Sequence, residues 1–382
     1  MSGESKSVDK VLEKHRDAVT SVSWSPLGDK IVSGSYDTTI IVWDSNTGEP
    51  IGRPLEGHTG YVLSVDWYGD KIVSGSFDKT LRLWNSRTGT LIHTISGHRS
   101  SVKSVSFSPD GSHIVSGSSD HSVRVWDMTG TCVLGKEEEE LEVHASGVQS
   151  VDWHGDKIVS GSGDNTVRVW DMSGKCVLGP LEDSFRRRNW VSSVSFSPDG
   201  SKIAAGSADK IVRIWDMSGK LLNKLKGHEY GIFSVDWHGD KIVSGSWDKT
   251  VRVWDSNTGA ELLKLEGHTK SVSSVSWSPQ GDKIASGSAD MTVRVWDVSI
   301  LKEWENLQHD ILSWKLAWGH TDMPFALMLQ KAVWYVCSLE KLKVKAVSMG
   351  FKMALYDKLY TWCNEYIRTM KNRQKKMRRL RF

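Results

Sequence analysis

The chain lacks the cysteine pairs that mark metal fingers and disulfide frameworks. Its 382 residues hold four cysteines, none in a CxxC arrangement. Cys132 and Cys176 stand 44 residues apart in TCVLG and KCVLG, so they are copies of one position and not disulfide partners, which points to a reducing compartment. The first residues, MSGESKSVDK, contain no apolar stretch of the kind a secretory signal needs. No transmembrane segment is expected either: the most apolar run, 325–339, is about 15 residues long and is interrupted by Gln330 and Lys331. Net charge is small at +3 but unevenly divided. Residues 299–382 carry 16 Lys+Arg against 7 Asp+Glu, leaving 33 against 39 in the remainder, so an acidic body precedes a basic end.

What is abundant is tryptophan followed by Asp or Asn. The pairs Trp43-Asp44, Trp84-Asn85, Trp126-Asp127, Trp170-Asp171, Trp215-Asp216, Trp254-Asp255 and Trp296-Asp297 are spaced by 41, 42, 44, 45, 39 and 42 residues. A period of that length marks a repeat array, each unit one supersecondary piece that buries its faces only against its neighbours. The array overrides the two or three domains that length alone suggests. Residues 57–95 show one unit: YVLSVDW alternates, Gly69-Asp70 turns, KIVSGS alternates again, Phe77-Asp78-Lys79 turns, and LRLW and LIHTI follow. The pattern predicts four short antiparallel strands per unit, forming a twisted sheet with two apolar faces, and seven such sheets packed radially.

Other residues recur in register with the tryptophans. They are His15, His58, His98, His144, His228 and His268; Ser33, Ser74, Ser116, Ser160, Ser244 and Ser286; and Asp37, Asp78, Asp120, Asp164, Asp209, Asp248 and Asp290. Through these residues the chain resembles the WD-repeat β-propeller family over about residues 8–298. The resemblance implies an all-β, seven-bladed propeller of four-stranded antiparallel blades. It also implies a hydrogen-bonded chain from Trp through Ser and His to Asp, with tetrads His58, Ser74, Asp78, Trp84; His98, Ser116, Asp120, Trp126; His228, Ser244, Asp248, Trp254; and His268, Ser286, Asp290, Trp296 among them. The chemistry agrees, since a buried indole N–H needs an acceptor and a buried imidazole needs both nitrogens engaged. Ser, His and Asp together suggest a hydrolase triad, but one chain has no use for six copies of a catalytic site, so the role is structural.

Unit five departs from the pattern, with Arg187 and Ala205 in the His and Ser positions while Asp209 and Trp215 remain. Losing both members avoids stranding one buried polar group, which costs about 1–3 kcal/mol. This blade is expected to be the least stable. Residues 8–14, VDKVLEK, precede His15 as ELLKLEG precedes His268, so they are expected to supply the fourth strand of blade seven and close the ring. Units one, three, five and seven read SVS[WF]SPxG where two, four and six read SVDWxG, a pattern that duplication of blade pairs explains.

By resemblance to other WD-repeat propellers, a partner meets the narrow top face around the channel. It is reached by the residues flanking the Val after the His and by the residue before the turn Asp. The contact residues so identified are Tyr36, Tyr61, Leu63, Phe77, Lys103, Gln149, Trp190, Phe233 and Trp247. Large apolar side chains fall on units one, two, five and six, while three, four and seven offer small or polar ones. Aromatics at variable turn positions either contact a partner or pack on one another across the channel mouth, and such a set can also cage a methylated lysine. Glu137–Glu140, Glu142 and Arg186–Arg188 read as solvated loops, and nothing gives His154 or His238, in repeat-equivalent turns, a metal role.

After residue 298 the glycines fall to two and the strand pattern stops. Trp304, Leu307, Ile311, Trp314 and Trp318, and later Phe351, Leu355, Leu359, Trp362, Tyr366 and Met370, follow helical spacing. Residues 299–382 are therefore expected to form a helical, basic extension ending in Lys371, Arg373, Lys375, Lys376, Arg378, Arg379 and Arg381. That end reads as a solvated helix end, a nuclear-import or nucleic-acid patch, or a calmodulin-like or anionic membrane-surface contact. No nucleophile–base pair, metal cluster or phosphate loop stands apart from the repeats. The sequence thus favours a non-catalytic, intracellular scaffold, cytoplasmic or nuclear, without cofactor or metal, that binds a protein or peptide within a larger complex. A nucleic-acid-associated factor and a membrane-peripheral adaptor are the alternatives.

Overall fold

A computed structural model of the chain describes residues 10–135, 144–181 and 189–303, with 305–307, 310, 335, 337–340, 363–365, 367 and 368 beyond them. The chain divides into two compact units, Val8–Trp296 and a second that holds the residues from Asp297 on.

In the first unit each repeat folds as an antiparallel sheet. Blade two is Val62–Tyr68, Lys71–Ser76, Leu81–Asn85 and Leu91–Ile95, and the other blades repeat its order. The KIVSGS second strands are buried along almost their whole length because neighbouring blades cover both faces, whereas the outermost Leu91–Ile95 is exposed except at Ile95. Blade seven takes Lys10–Glu13 as its fourth strand, paired with Thr292–Val295, so the first residues close the last sheet as expected. Blade one has three full strands. Its outer position holds only the bridges Trp43↔Pro50 and Ile40↔Leu55, because Pro50 and Pro54 have no N–H to give a ladder.

The seams between blades are closed by one repeated hydrogen bond. A serine on each innermost strand accepts the backbone N–H of a valine in the next blade, from Ser21 to Val65 at 3.0 Å around to Ser274 and Val22 at 3.0 Å. The five intervening seams repeat it at 3.0–3.1 Å. Close approach also explains the invariant SGS glycine. A Cβ on Gly161 would lie 2.6 Å from Val191 Cγ1 of the next blade, and the same holds within 0.1 Å at Gly34, Gly75, Gly117, Gly206, Gly245 and Gly287. The motif tryptophans fill the space farther out; Trp43, Trp84, Trp126, Trp215, Trp254 and Trp296 are each fully buried. At roughly 25 cal/mol per Å² and about 200 Å² per indole, each contributes on the order of 5 kcal/mol of transfer free energy.

The alternation of SVDW and SVSW units has a physical consequence beyond its history. Asp66, Asp152 and Asp236 each accept the N–H of the following Trp at 2.8 Å and a backbone N–H of the next blade, from Phe107, Phe196 or Trp277, at 2.7–2.9 Å. Tyr68, His154 and His238 then lay their rings over those same residues at centroid distances of 5.8–5.9 Å. Blades two and three, four and five, and six and seven are therefore stapled by carboxylates onto backbone N–H groups. Blade one has no such staple, its Ser23 hydroxyl reaching Asp66 at 3.2 Å and its Trp24 indole reaching the Ser276 carbonyl at 3.1 Å.

Of the second unit, 300–303, 305–307, 310, 335, 337–340 and the described residues of 363–368 are helical. Leu307, Tyr335, Leu339 and Cys363 are buried, and the Tyr335 hydroxyl donates to the Asp310 carbonyl at 3.2 Å. Among the described residues no helix is long and apolar enough to cross a membrane. The basic tail, most of the two helical stripes, the Glu137–Glu142 and Arg186–Arg188 segments and Arg187 lie outside the described residues.

Candidate interaction face

Six blades build the expected chain of polar side chains. His58 Nδ1 is 2.8 Å from Asp78 Oδ2, its Nε2 is 2.8 Å from Ser74 Oγ, and Trp84 Nε1 donates to that hydroxyl at 2.9 Å. The chains at His98, Asp120, Ser116 and Trp126, and at His268, Asp290, Ser286 and Trp296, repeat these distances within 0.1 Å. Those at His15, His144 and His228, the last with Asp248, Ser244 and Trp254, agree within 0.2 Å. Their direction follows from chemistry: an indole only donates and a carboxylate only accepts, so Nδ1 carries the proton and Ser donates to Nε2. Burial lowers the pKa of His228 and His268 despite the aspartates beside them, which keeps both rings neutral. Burial pushes the Asp78 carboxyl up, but hydrogen bonds from His58 and Thr80 outweigh it and hold it well below the usual carboxylate range.

The tetrads shape the face above them. Asp78 Oδ2 also takes the Thr59 N–H at 3.0 Å, fixing the loop that enters the inner strand. The turn N–H of Phe77 then donates to the Tyr61 carbonyl at 2.8 Å. The same bond ties Tyr36 to Ala18, Ala208 to Trp190 and Trp247 to Gly231. Two variable positions of each blade are thereby held side by side on a rigid turn.

In blade five Arg213, at a position where five other blades also carry arginine, replaces the missing histidine. Its guanidinium forks onto Asp209, Nη1 to Oδ1 at 3.0 Å and Nη2 to Oδ2 at 2.6 Å, and Arg213 is buried. Sequence reasoning missed this substitute because the same arginine in the other blades gave it no distinguishing mark.

The expected contact residues fall into two groups. Tyr36, Tyr61 and Phe77 form one cluster on blades one and two, with centroids 4.6 and 5.8 Å apart. Trp190, Phe233 and Trp247 form another on blades five and six, at 6.2 and 5.1 Å. The rings pack within each cluster and still leave Tyr61 46%, Phe77 57% and Trp247 41% exposed. Leu63, Lys103 and Gln149 are half-buried on inner strands, outside both clusters. Tyr230, which the positional rule did not single out, is 56% exposed and carries the Lys210 ammonium 5.5 Å from its ring centre.

A cavity of about 200 Å³ is lined by the inner strands, with Asp66, Asp152 and Asp236 alternating with Ser23, Ser106, Ser195 and Ser276. Burial, opposed by backbone hydrogen bonds and reinforced by repulsion among the three carboxylates, pushes Asp152 up to about 7 and Asp236 to about 6; Asp66 is raised as well.

Seven successive segments, residues 6–44, 48–85, 89–127, 135–171, 180–216, 219–255 and 259–297, match the family described as "WD domain, G-beta repeat". Among curated proteins, Nuclear distribution protein PAC1 of Coccidioides posadasii is 42% identical over 106 residues, 26% of this chain and 22% of that protein. Nuclear distribution protein PAC1 of Arthroderma otae is 34% identical over 106 residues, 26% of this chain and 23% of its own length. The chain thus spans less than a quarter of the length of these relatives.

Proposed function

The chain belongs to the WD-repeat family, and from that membership we propose that it is a non-catalytic scaffold that binds a protein or peptide segment on the face carrying the two aromatic clusters. The observation that carries this reading is the exposure of large aromatic rings on turns that the tetrads hold rigid. Exposed Tyr and Trp on a preorganised surface are the residues from which protein interfaces take most of their binding energy. The Ser, His and Asp side chains do not support catalysis, because each is consumed by its tetrad and buried. The fungal relatives, named for nuclear distribution, favour an intracellular place for this chain.

The test compares proteins that co-purify with the full chain and with the Tyr61→Ala/Trp247→Ala double variant. Leu27→Ala serves as control, since Leu27 is 77% exposed in the turn between first and second strands, at the other end of the ring. The reading requires partners that are lost from the double variant and kept by the control, with all three proteins melting alike. Identical partner sets at equal amounts would refute it.

A further inference from the structure

We infer that the segment bound on this face is acidic, with Asp or Glu side chains over the channel mouth and apolar anchors that fill the aromatic clusters. This inference rests on the scaffold reading above and adds the chemistry of the partner.

The first observation is Lys103. It occupies the inner-strand position that Thr20, Ser192 and Ser273 hold in other blades, where each hydroxyl is turned onto two backbone carbonyls. At the same position Gln149 is tied to the Gly147 carbonyl at 3.2 Å. Lys103 alone brings a charge there, and among the described residues its ammonium has no carboxylate or acceptor. Burial depresses its pKa with nothing to offset that. A half-buried cation without a partner is a costly feature that an incoming carboxylate would satisfy.

The second observation is the charge of the surrounding loops. Between the tetrad positions and the inner strands, and just after each turn Asp, the described exposed cations are Arg16, Lys79, Arg99, Lys210, Lys249 and Lys270, against the exposed carboxylates Asp17 and Glu229. The turn aspartates do not offset this surplus. Asp78, Asp248 and Asp290 have side-chain exposures of 8%, 4% and 5%, and each points inward to its histidine. The body of the chain is acidic overall, so a basic rim around this one face is a local feature that steers an anionic partner to it.

The third observation selects a peptide over a nucleic acid. Within the clusters the rings lean on one another at 33–51°, forming wedges between rings and not the flat platforms on which successive bases stack. A wedge suits a leucine or an aromatic side chain.

The experiment is selection of a displayed library of random 12-residue peptides on the full-length protein, followed by affinity measurement of the enriched peptides. Four proteins are compared: wild type, Lys103→Met, the reversal Lys79→Glu/Lys210→Glu/Lys249→Glu, and Trp247→Ala, each checked for an unchanged melting curve. Enriched peptides should combine Asp or Glu with Leu or aromatic residues. Their affinity should fall about tenfold in Lys103→Met, as for loss of one charge-assisted hydrogen bond, and further in the reversal. Enrichment of neutral or basic apolar peptides that need Trp247 but ignore Lys103 overturns the acidic partner and leaves the scaffold reading standing. Failure to enrich any peptide counts against both, and tighter binding of a 12-mer of single-stranded oligo-dT than of every peptide overturns the choice of a peptide.

Discussion

Asp152 offers the sharpest test of how the ring is held together, because its substitution should change the sign of its effect with pH. The carboxylate bridges two blades, accepting the N–H of Trp153 at 2.8 Å and of Phe196 at 2.7 Å. It does so in a buried position facing Asp66 and Asp236, which raises its pKa from the ordinary 3.8 to about 7. The folded state therefore binds a proton that the unfolded chain gives up. Stability from this group is fully present below about pH 4 and is lost as pH rises towards 7. At 1.36 kcal/mol per pH unit the loss amounts to about 4 kcal/mol at most, and water in a cavity of about 200 Å³ would screen part of that, so roughly 2 kcal/mol is the working figure.

Asp152→Asn removes the charge but leaves one oxygen for two N–H donors, so one backbone N–H is stranded at about 1–3 kcal/mol. At pH 5, where the wild-type carboxyl is largely protonated, the variant should be the less stable protein. At pH 8, where the wild type carries a buried charge, the gap should close or reverse. The tetrads act in the opposite direction. Asp78 and its counterparts are held well below the usual range, so their stability is present above about pH 4 and is lost as pH falls. The wild type should thus show a stability maximum in mildly acidic solution, and the variant a flatter limb on its alkaline side. The assay is urea unfolding followed by tryptophan fluorescence at half-unit steps from pH 4.5 to 8.5. Parallel curves for the two proteins between pH 5 and 8 would refute the reasoning.

Three further outcomes follow from contacts elsewhere in the ring. Arg213→Ala leaves the Asp209 carboxylate, only 13% exposed, without its cation and should cost about 3 kcal/mol by urea titration, whereas Arg294→Ala in blade seven, whose Asp290 keeps His268, should cost less than half as much. Gly161→Ala sets a Cβ 2.6 Å from Val191 Cγ1 and 2.8 Å from Val194 Cγ1, and should destabilise by about 1–3 kcal/mol although alanine is otherwise the better strand residue. Removing residues 1–14 takes away the strand paired with Thr292–Val295 and exposes that edge; the truncated protein should melt several degrees lower and self-associate in sedimentation, and an unchanged melting curve would show that closure does not support the ring.

Most of the ring was legible in the sequence because it rests on residues that do one thing in every unit. Trp, Ser, His and Asp at fixed spacing have a single arrangement in which a buried indole, hydroxyl and imidazole are all satisfied, and six blades adopt it. The closing strand was legible for the same reason, since 8–14 repeat a pattern found before another His. Three features were not. The outer edge of blade one depends on Pro50 and Pro54, which interrupt a ladder that spacing alone would continue. The Arg213 fork depends on what is absent nearby: an arginine common to six blades reaches the turn carboxylate fully only where no imidazole occupies it. And Asp66, Asp152 and Asp236 looked like a mark of duplication when read along the chain, because their partners lie in the next blade.

These failures share a cause that also bears on the interaction face. A repeat makes local contacts easy to read and contacts across a seam hard to read, since a residue's own unit says little about its neighbour. Tyr36 belongs to blade one and Tyr61 to blade two, yet their rings meet at 4.6 Å; Trp190 belongs to blade five and Trp247 to blade six, and they meet at 6.2 Å. Neither seam has the backbone N–H staple that an SVDW carboxylate makes between blades two and three, four and five, and six and seven; across the first of them Asp66 accepts only the Ser23 hydroxyl, at 3.2 Å. The aromatic clusters therefore sit over seams that no carboxylate staples to the neighbouring backbone, where contact between exposed rings takes the place of that staple. A partner seated on either cluster would press two unstapled blades together, so binding there should stabilise the ring itself, and a peptide that binds this face should raise the melting temperature of the wild type while leaving Tyr61→Ala/Trp247→Ala unmoved.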